Sequence, residues 1–253
     1  MMSTPISVFL ITCNEQETLP AVLRSVSMFA EIIVVDSGSQ DRTTAIAQEF
    51  GAKVIHQPWL GFARQKAFAM QACTHNWCFN IDGDEVVPEA VAKSIQQQVD
   101  ANEANGLRVY FEDFFMGQPM HRSSHKRSIV RVFKQDKTRY PQDRLVHENV
   151  TVDGPTQKVP GTIIHYGYDD VATYMEKQNR YSSLSAQEKF NRQKPYSLAK
   201  LMLVFPLMFF KEYVLRKQFL SGARGLVHAT IDAMYAFLKE AKLYELHRRQ
   251  KHK

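Results

Sequence analysis

In the stretch FNIDGDEVVP, residues 79–88, an apolar run ends in three carboxylates within four residues, Asp82, Asp84 and Glu85, and then Pro88. Asp82 and Asp84 are separated by a glycine that permits a tight turn. Both can therefore approach one hard divalent cation, or a cation and a ribose. Magnesium or manganese would suit them, with water and phosphate oxygens in the remaining positions. A second reading stays open, because Glu85 and Glu89 flank Pro88 as an acidic cluster at a helix N-terminus would. Two other polar residues close apolar runs in the same manner: Asn14 after ISVFLITC and Asp36 after EIIVV.

These three positions need elements that bring them together. ISVFLITCN (6–14) reads as a short strand, and Leu19, Val22, Leu23 and Val26 follow at helical spacing. EIIVVDSGSQD repeats the pattern, with a helix opened near Ser39 or Asp41 and closed by Gly51. AKVIHQ predicts a third strand, Gly61 to Ala72 a third helix, and WCFNID a fourth strand running into the acidic cluster. Pro88 stands where a further helix could begin. Strands alternating with helices predict βαβ units and an open, mostly parallel, Rossmann-like α/β sheet with helices on both faces. Ligands of such sheets bind beyond the carboxyl ends of the strands, so Asn14, Asp36 and Asp82 are expected along one rim.

The texture then changes. LRVYFEDFFMG, RSIVRVFK and GTIIHYGY read as strands joined by polar loops, and the chain turns helical again after Asp169. Three regions are expected: 1–105 as a ligand-binding half, 106–170 as a second half of the same domain, and 171–253 as a helical extension. The net charge of +6 is uneven: residues 196–253 hold 11 Lys and Arg against 4 Asp and Glu, the rest 21 against 22. Within that tail, KLMLVFPLMFF (200–210) is too short for a hydrocarbon core that needs roughly 20 residues, and Pro206 interrupts it. Apolar faces alternating with Lys211, Arg216, Lys217, Arg224, Lys239, Lys242, Arg248 and Arg249 suit attachment to an anionic membrane surface. A helix pair packed on the preceding domain or on a second subunit is the alternative. No nucleic-acid motif accompanies the basic tail, so nucleic acid is not an expected partner.

The opening MMSTPISVFLITCNEQ has no basic residue ahead of its apolar run, so a signal peptide is not expected. Cys13, Cys73 and Cys78 are an odd count in apolar surroundings, which reads as reduced core packing in a cytosolic environment.

ISVFLITCNEQETLPAVLRSV, EIIVVDSGSQDRT and FNIDGDE, in this order and spacing, resemble the nucleotide-sugar-binding half of a family 2 glycosyltransferase with the GT-A fold. RLVHENV (144–150) and KQNRYS (177–182) further resemble the beta-1,4-glucosyltransferases that build the lipopolysaccharide inner core. The resemblance implies that Thr12, Cys13, Asn14, Glu15 and Asp36 hold the nucleoside, Asp36 accepting from the base. It implies that Asp82 lies by the ribose or metal and that Asp84 ligates a Mg2+ or Mn2+ ion bridging the diphosphate. Lys66, and with it Arg64, would face the diphosphate; a solvated helix face is the bland reading of both. His165 ends an apolar strand and is a second candidate metal ligand by the same resemblance, against the reading of a satisfied rim histidine.

Transfer needs a cation because the leaving nucleoside diphosphate gains charge as the glycosidic bond breaks. The acceptor hydroxyl must lose its proton to a positioned base. The resemblance implies inversion by single displacement, so one carboxylate suffices. Glu148 in PQDRLVHEN is the first choice, with Asp143 and His147 as rivals in the same loop; Glu112 and Asp113 are candidates for the acceptor cleft on charge alone. The expected activity is transfer of a hexose, glucose from UDP-glucose first, to a lipid-linked saccharide of the lipopolysaccharide inner core. Its expected place is the cytoplasmic face of the inner membrane, as a peripheral protein. Transfer to a polyprenyl phosphate and a non-catalytic nucleotide-binding adaptor are the rivals.

Overall fold

The computed structural model describes residues 3–141 and 149–251. Glu148, His147 and Asp143, the expected base and its rivals, lie outside the described residues.

The first half folds as the alternation of apolar runs predicts. Strands β1 (Ile6–Thr12), β2 (Glu31–Asp36), β3 (Lys53–His56) and β4 (Trp77–Asn80) alternate with helices α1 (Leu19–Val26), α2 (Thr43–Glu49) and α3 (Phe62–Gln71). Then come β5 (Glu85–Val86), α4 (Glu89–Ala101), β6 (Gly106–Phe115), β7 (Gln118–Pro119), β8 (Ser128–Lys134), β9 (Thr138–Arg139), β10 (Thr151–Val152) and β11 (Thr156–Tyr168). Helices α5 (Val171–Asn191), α6 (Leu198–Phe210) and α7 (Gly222–Lys251) follow.

Among the described residues, β3-β2-β1-β4-β8-β6-β11-β5 form one sheet, with β7 beside β6; β9 and β10 pair separately. The β3-β2-β1-β4 part is parallel, and β4–β8, β8–β6 and β11–β5 are antiparallel. β1 and β2 read as continuous apolar runs because a parallel strand is covered on both faces. Ile6, Val8 and Leu10 pack with Leu19, Val22 and Leu23 of α1, Ile46 of α2 and Ile95 of α4. Phe9, Ile33 and Val35 point the other way, against Ala69 and Met70 of α3. Helices thus cover both faces, as expected.

The chain forms two compact units. One comprises Met1–Glu112 and Arg127–His165, the other Asp113–Lys126 and Tyr166–Lys253. The first holds the parallel strands and the carboxylates that follow them. In the second, α7 packs along both α5 and α6, and Phe115, Tyr174 and Ile231 form a small core. No helix among the described residues is long and apolar enough to cross a membrane.

Two local expectations are corrected. Glu85 does not open a helix: it lies buried in β5, paired in register with His165 of β11, while Pro88 and Glu89 begin α4. Cys73 and Cys78 are buried free thiols as expected, but Cys13 is exposed, because it sits in the turn beyond β1 rather than within the strand.

Candidate active site

The turns after β1 and β2 are stitched together by polar side chains. Asn14 adopts a left-handed conformation, φ 58°, which asparagine tolerates better than most residues. Its N–H donates to Ser39 Oγ at 2.8 Å, and its Oδ1 accepts from Gln40 N–H at 2.8 Å. Glu15 N–H donates to Thr43 Oγ1 at 2.8 Å. Asp36 ends β2 fully inside this knot: it accepts from Gly38 N–H at 2.9 Å, Ser39 N–H at 2.8 Å and Thr12 Oγ1 at 3.1 Å, and from the Ser39 hydroxyl. Burial pushes the Asp36 carboxyl up, but the bonds from Ser39, Gly38 and Thr12 outweigh it and hold the group below its ordinary value.

The turn after β4 is built differently. Asp82 is held from two sides, by Lys66 Nζ at 2.9 Å and by Arg131 at 2.6 Å. Arg131, rising from β8, also donates to Glu85 at 2.6 Å and to Asn80 Oδ1 at 2.8 Å. Asp82 N–H closes the ring by donating to Glu85 Oε2 at 3.0 Å. The Lys66 and Arg131 side chains are 7 % and 6 % exposed and Glu85 1 %, against 33 % for Asp82, which therefore faces the rim. Burial pushes Asp82 up, and Arg131 and Lys66 then bring it well below the ordinary carboxylate range. Arg127 stands 3.8 Å from Glu85 and 4.2 Å from the Phe111 ring centre, adding a cation–π contact.

Gly83 lets the Glu15 side chain lie close against this turn. A Cβ there would come within 3.2 Å of Glu15 Cγ and Cδ, so the first and fourth strand ends meet at Glu15 and Gly83. Beside them, Asp84 and His165 face each other, Oδ2 to Nε2, at 3.4 Å. The register of β11 on β5 sets that approach, since it pairs His165 with Glu85, the neighbour of Asp84. The two side chains are 26 % and 17 % exposed.

The structure thus brings Thr12, Asn14, Glu15, Asp36, Lys66, Asp82, Asp84 and His165 into one unit. Thr12, Asn14, Glu15, Asp36, Asp82 and Asp84 lie at or just beyond the ends of β1, β2 and β4, where ligands of such sheets bind. Lys66 lies within α3, and His165 inside β11, which runs on to Tyr168 rather than ending at the histidine as expected. Lys66 is buried on Asp82, whereas Arg64 is exposed. Gln65 anchors their helix by donating to Ser37 Oγ and Gln57 carbonyl, both at 3.0 Å. Arg131 and Asn80 were not singled out by the sequence reading, although a cation inside the apolar run SIVRVF was a visible signal, and Glu85 was read there as a member of the acidic cluster rather than as a partner of Arg131.

As a metal site, the residues fit in part. No cluster of three or more His, Cys, Asp and Glu side chains occurs among the described residues, so no complete protein cage is present there. Asp84 supplies a carboxylate that suits manganese or magnesium when a ligand's phosphates and water complete the shell, while the His165 imidazole beside it is a softer ligand that favours manganese over magnesium. Asp82 fits less well, its two oxygens being taken by Lys66 and Arg131.

Comparison with known proteins agrees with this geometry. The family model of Glycosyl transferase family 2 matches residues 7–157. Lipopolysaccharide core biosynthesis glycosyltransferase LpsC of Rhizobium meliloti (strain 1021) is 32 % identical over 251 residues, covering 96 % of this chain and 93 % of that protein. A glycosyltransferase of Rickettsia felis is 31 % identical, covering 95 % and 89 %. Among solved structures, S. aureus TarS 1-349 in complex with UDP-GlcNAc shares the fold with a TM-score of 0.53 at 12 % identity, over 98 % of this chain and 92 % of that one. With the family match spanning the ends of β1, β2 and β4 and the relatives covering nearly the whole chain, the protein belongs to glycosyl transferase family 2 and is a glycosyltransferase of GT-A-like fold.

Proposed function

We propose that this enzyme is a metal-dependent, inverting hexosyltransferase that moves a sugar from a UDP donor, UDP-glucose first, onto a lipopolysaccharide inner-core saccharide at the cytoplasmic face of the inner membrane. The observation that carries the reading is the pair of Asp84 and His165, set beside an Asp82 that two buried cations hold in place. The likeness to LpsC over 96 % of the chain supports the choice of acceptor.

In this reading the turn from Thr12 to Glu15 and Asp36 shape the nucleoside cradle. Asp36, already saturated by its own loop, orients that loop and accepts from the base only if Ser39 yields. Asp84 and His165 would hold Mg2+ or Mn2+, which would offset the charge that grows on the diphosphate as it leaves. Lys66 and Arg131 fix the Asp82 carboxylate toward the ribose without reorganisation during the reaction. The acceptor oxygen forms its bond to the anomeric carbon as the bond to the β-phosphate oxygen breaks. The electron pair leaves with UDP, and the acceptor proton passes to Glu148.

Purified enzyme incubated with UDP-sugars and truncated core acceptors, followed by mass and linkage analysis, tests the assignment. Asp84→Ala should reduce UDP release by about a hundredfold or more; unchanged turnover would sink the metal role. Glu148→Gln should abolish transfer to a sugar hydroxyl and leave UDP affinity nearly intact. Retained turnover on a polyprenyl phosphate, whose acceptor oxygen is already ionised, would favour that alternative.

A further inference from the structure

Helix α6 carries the most apolar sequence of the chain, yet none of its residues from Leu198 to Phe210 is buried. Leu198, Met202, Leu203, Leu207 and Phe210 are 56, 71, 54, 63 and 52 % exposed. Beyond the helix, Leu215 and Phe219 continue the surface at 65 and 45 % exposure. Single exposed apolar residues need no explanation, but a contiguous run of them marks an interaction surface.

The charges around the run indicate what covers it. Residues 192–224 contain seven Lys and Arg and one carboxylate, Glu212, which is itself buried under Arg216. Cations stand at both ends of α6. Lys211 and Lys217 follow its last turn, while Tyr196, just ahead of its first turn, packs on Tyr244 and His247 of α7, next to Arg248 and Arg249. A second copy docked through the same face would set like charges against each other, which disfavours self-association. An anionic lipid surface instead supplies apolar depth at the centre and phosphates at both ends.

The dimensions agree. A helix of this length spans about 20 Å, short of the roughly 30 Å hydrocarbon core, so it suits a position in the plane of the interface. We propose that α6 and the segment after it form a monotopic membrane-docking surface, with the apolar face sunk among acyl chains and the flanking cations on anionic headgroups. The surface is carried by α6 and the segment that follows it, and is independent of the donor and acceptor assignments above.

Flotation of the full-length protein with phosphatidylcholine vesicles, with and without phosphatidylglycerol, tests it. Wild type should float with the anionic vesicles. Met202→Glu with Leu207→Glu, both at exposed positions, should weaken partitioning by at least about tenfold. Circular dichroism, UDP affinity and transfer to a truncated soluble acceptor should stay unchanged, so failure here is distinct from failure of the catalytic reading. Lys211→Gln with Lys217→Gln should weaken the preference for anionic lipid, the cations at the other end of α6 being left in place. Equal flotation of wild type and the double Glu variant would overturn the proposal. So would a wild type that ignores vesicles and sediments as a dimer that the same variant dissolves.

Discussion

Arg131 is the residue on which the acidic turn depends. It spans Asn80, Asp82 and Glu85 from a buried strand, so it substitutes for the water those carboxylates lose. Removing one partner of a buried ion pair leaves the other uncompensated, at a cost of about 3–5 kcal/mol. Arg131→Met should therefore lower the urea midpoint strongly, while Arg131→Lys, which keeps charge but loses the fork, should fall between it and wild type. If instead Arg131→Met unfolds at the wild-type midpoint, the ring of contacts contributes nothing to stability. Asp36 gives a pH signature. Its folded pKa is depressed, so the stability it contributes is complete above the unfolded value near ~4 and is lost as the pH falls through the lower folded value. Denaturant midpoints measured from pH 7 downward should show Asp36→Asn less stable at neutrality, with a shallower acid limb than wild type.

At the scale of elements, β11 carries His165 to the rim, and Gly161 lets it pass α4. Gly161 has φ +90°, and a Cβ there would lie 2.7 Å from Val91 Cγ2. Gly161→Ala, at an exposed position, combines a left-handed alanine with overlap on the buried Val91 side chain, together about 2–4 kcal/mol, and should lower the thermal midpoint accordingly. A wild-type midpoint would show that β11 shifts without cost. The same strand marks the limit of sequence reading. β1, β2 and β4 were legible because parallel strands covered on both faces leave continuous apolar runs, and α1 because its buried residues recur at helical spacing. β5 was not legible: two residues carry no period, and Glu85 looked like a helix opener until its pairing with β11 buried it. Arg131 was visible as a cation in an apolar run, but its partners depend on β8 lying against β4. Asp84 and His165 were both named from sequence; their approach is a consequence of register, which sequence does not print.

For the molecule as a whole, the basic excess of residues 196–253 is not a uniform tail. Lys242 donates to Asn179, Ser182 and Ser183, Lys200 pairs with Glu240, and Arg224 donates to the carbonyls of Phe115, Gln118 and Pro119. Many of these cations therefore fasten α6 and α7 to their own unit, and the charge at either end of α6 is what an outside surface would meet. Two forces with different salt responses then act at one place. Raising the salt from 0.1 to 1 M shortens the screening length from about 10 to about 3 Å, which weakens headgroup attraction and leaves apolar burial in force. Flotation of wild type should accordingly lose its dependence on lipid charge at high salt while keeping a residual affinity for any bilayer. The Lys211→Gln and Lys217→Gln variant should move at low salt part of the way toward wild type at high salt, and Met202→Glu with Leu207→Glu should show little binding at either. Complete release of wild type by salt alone would mean that the apolar face of α6 stays out of the bilayer and that attachment is electrostatic throughout.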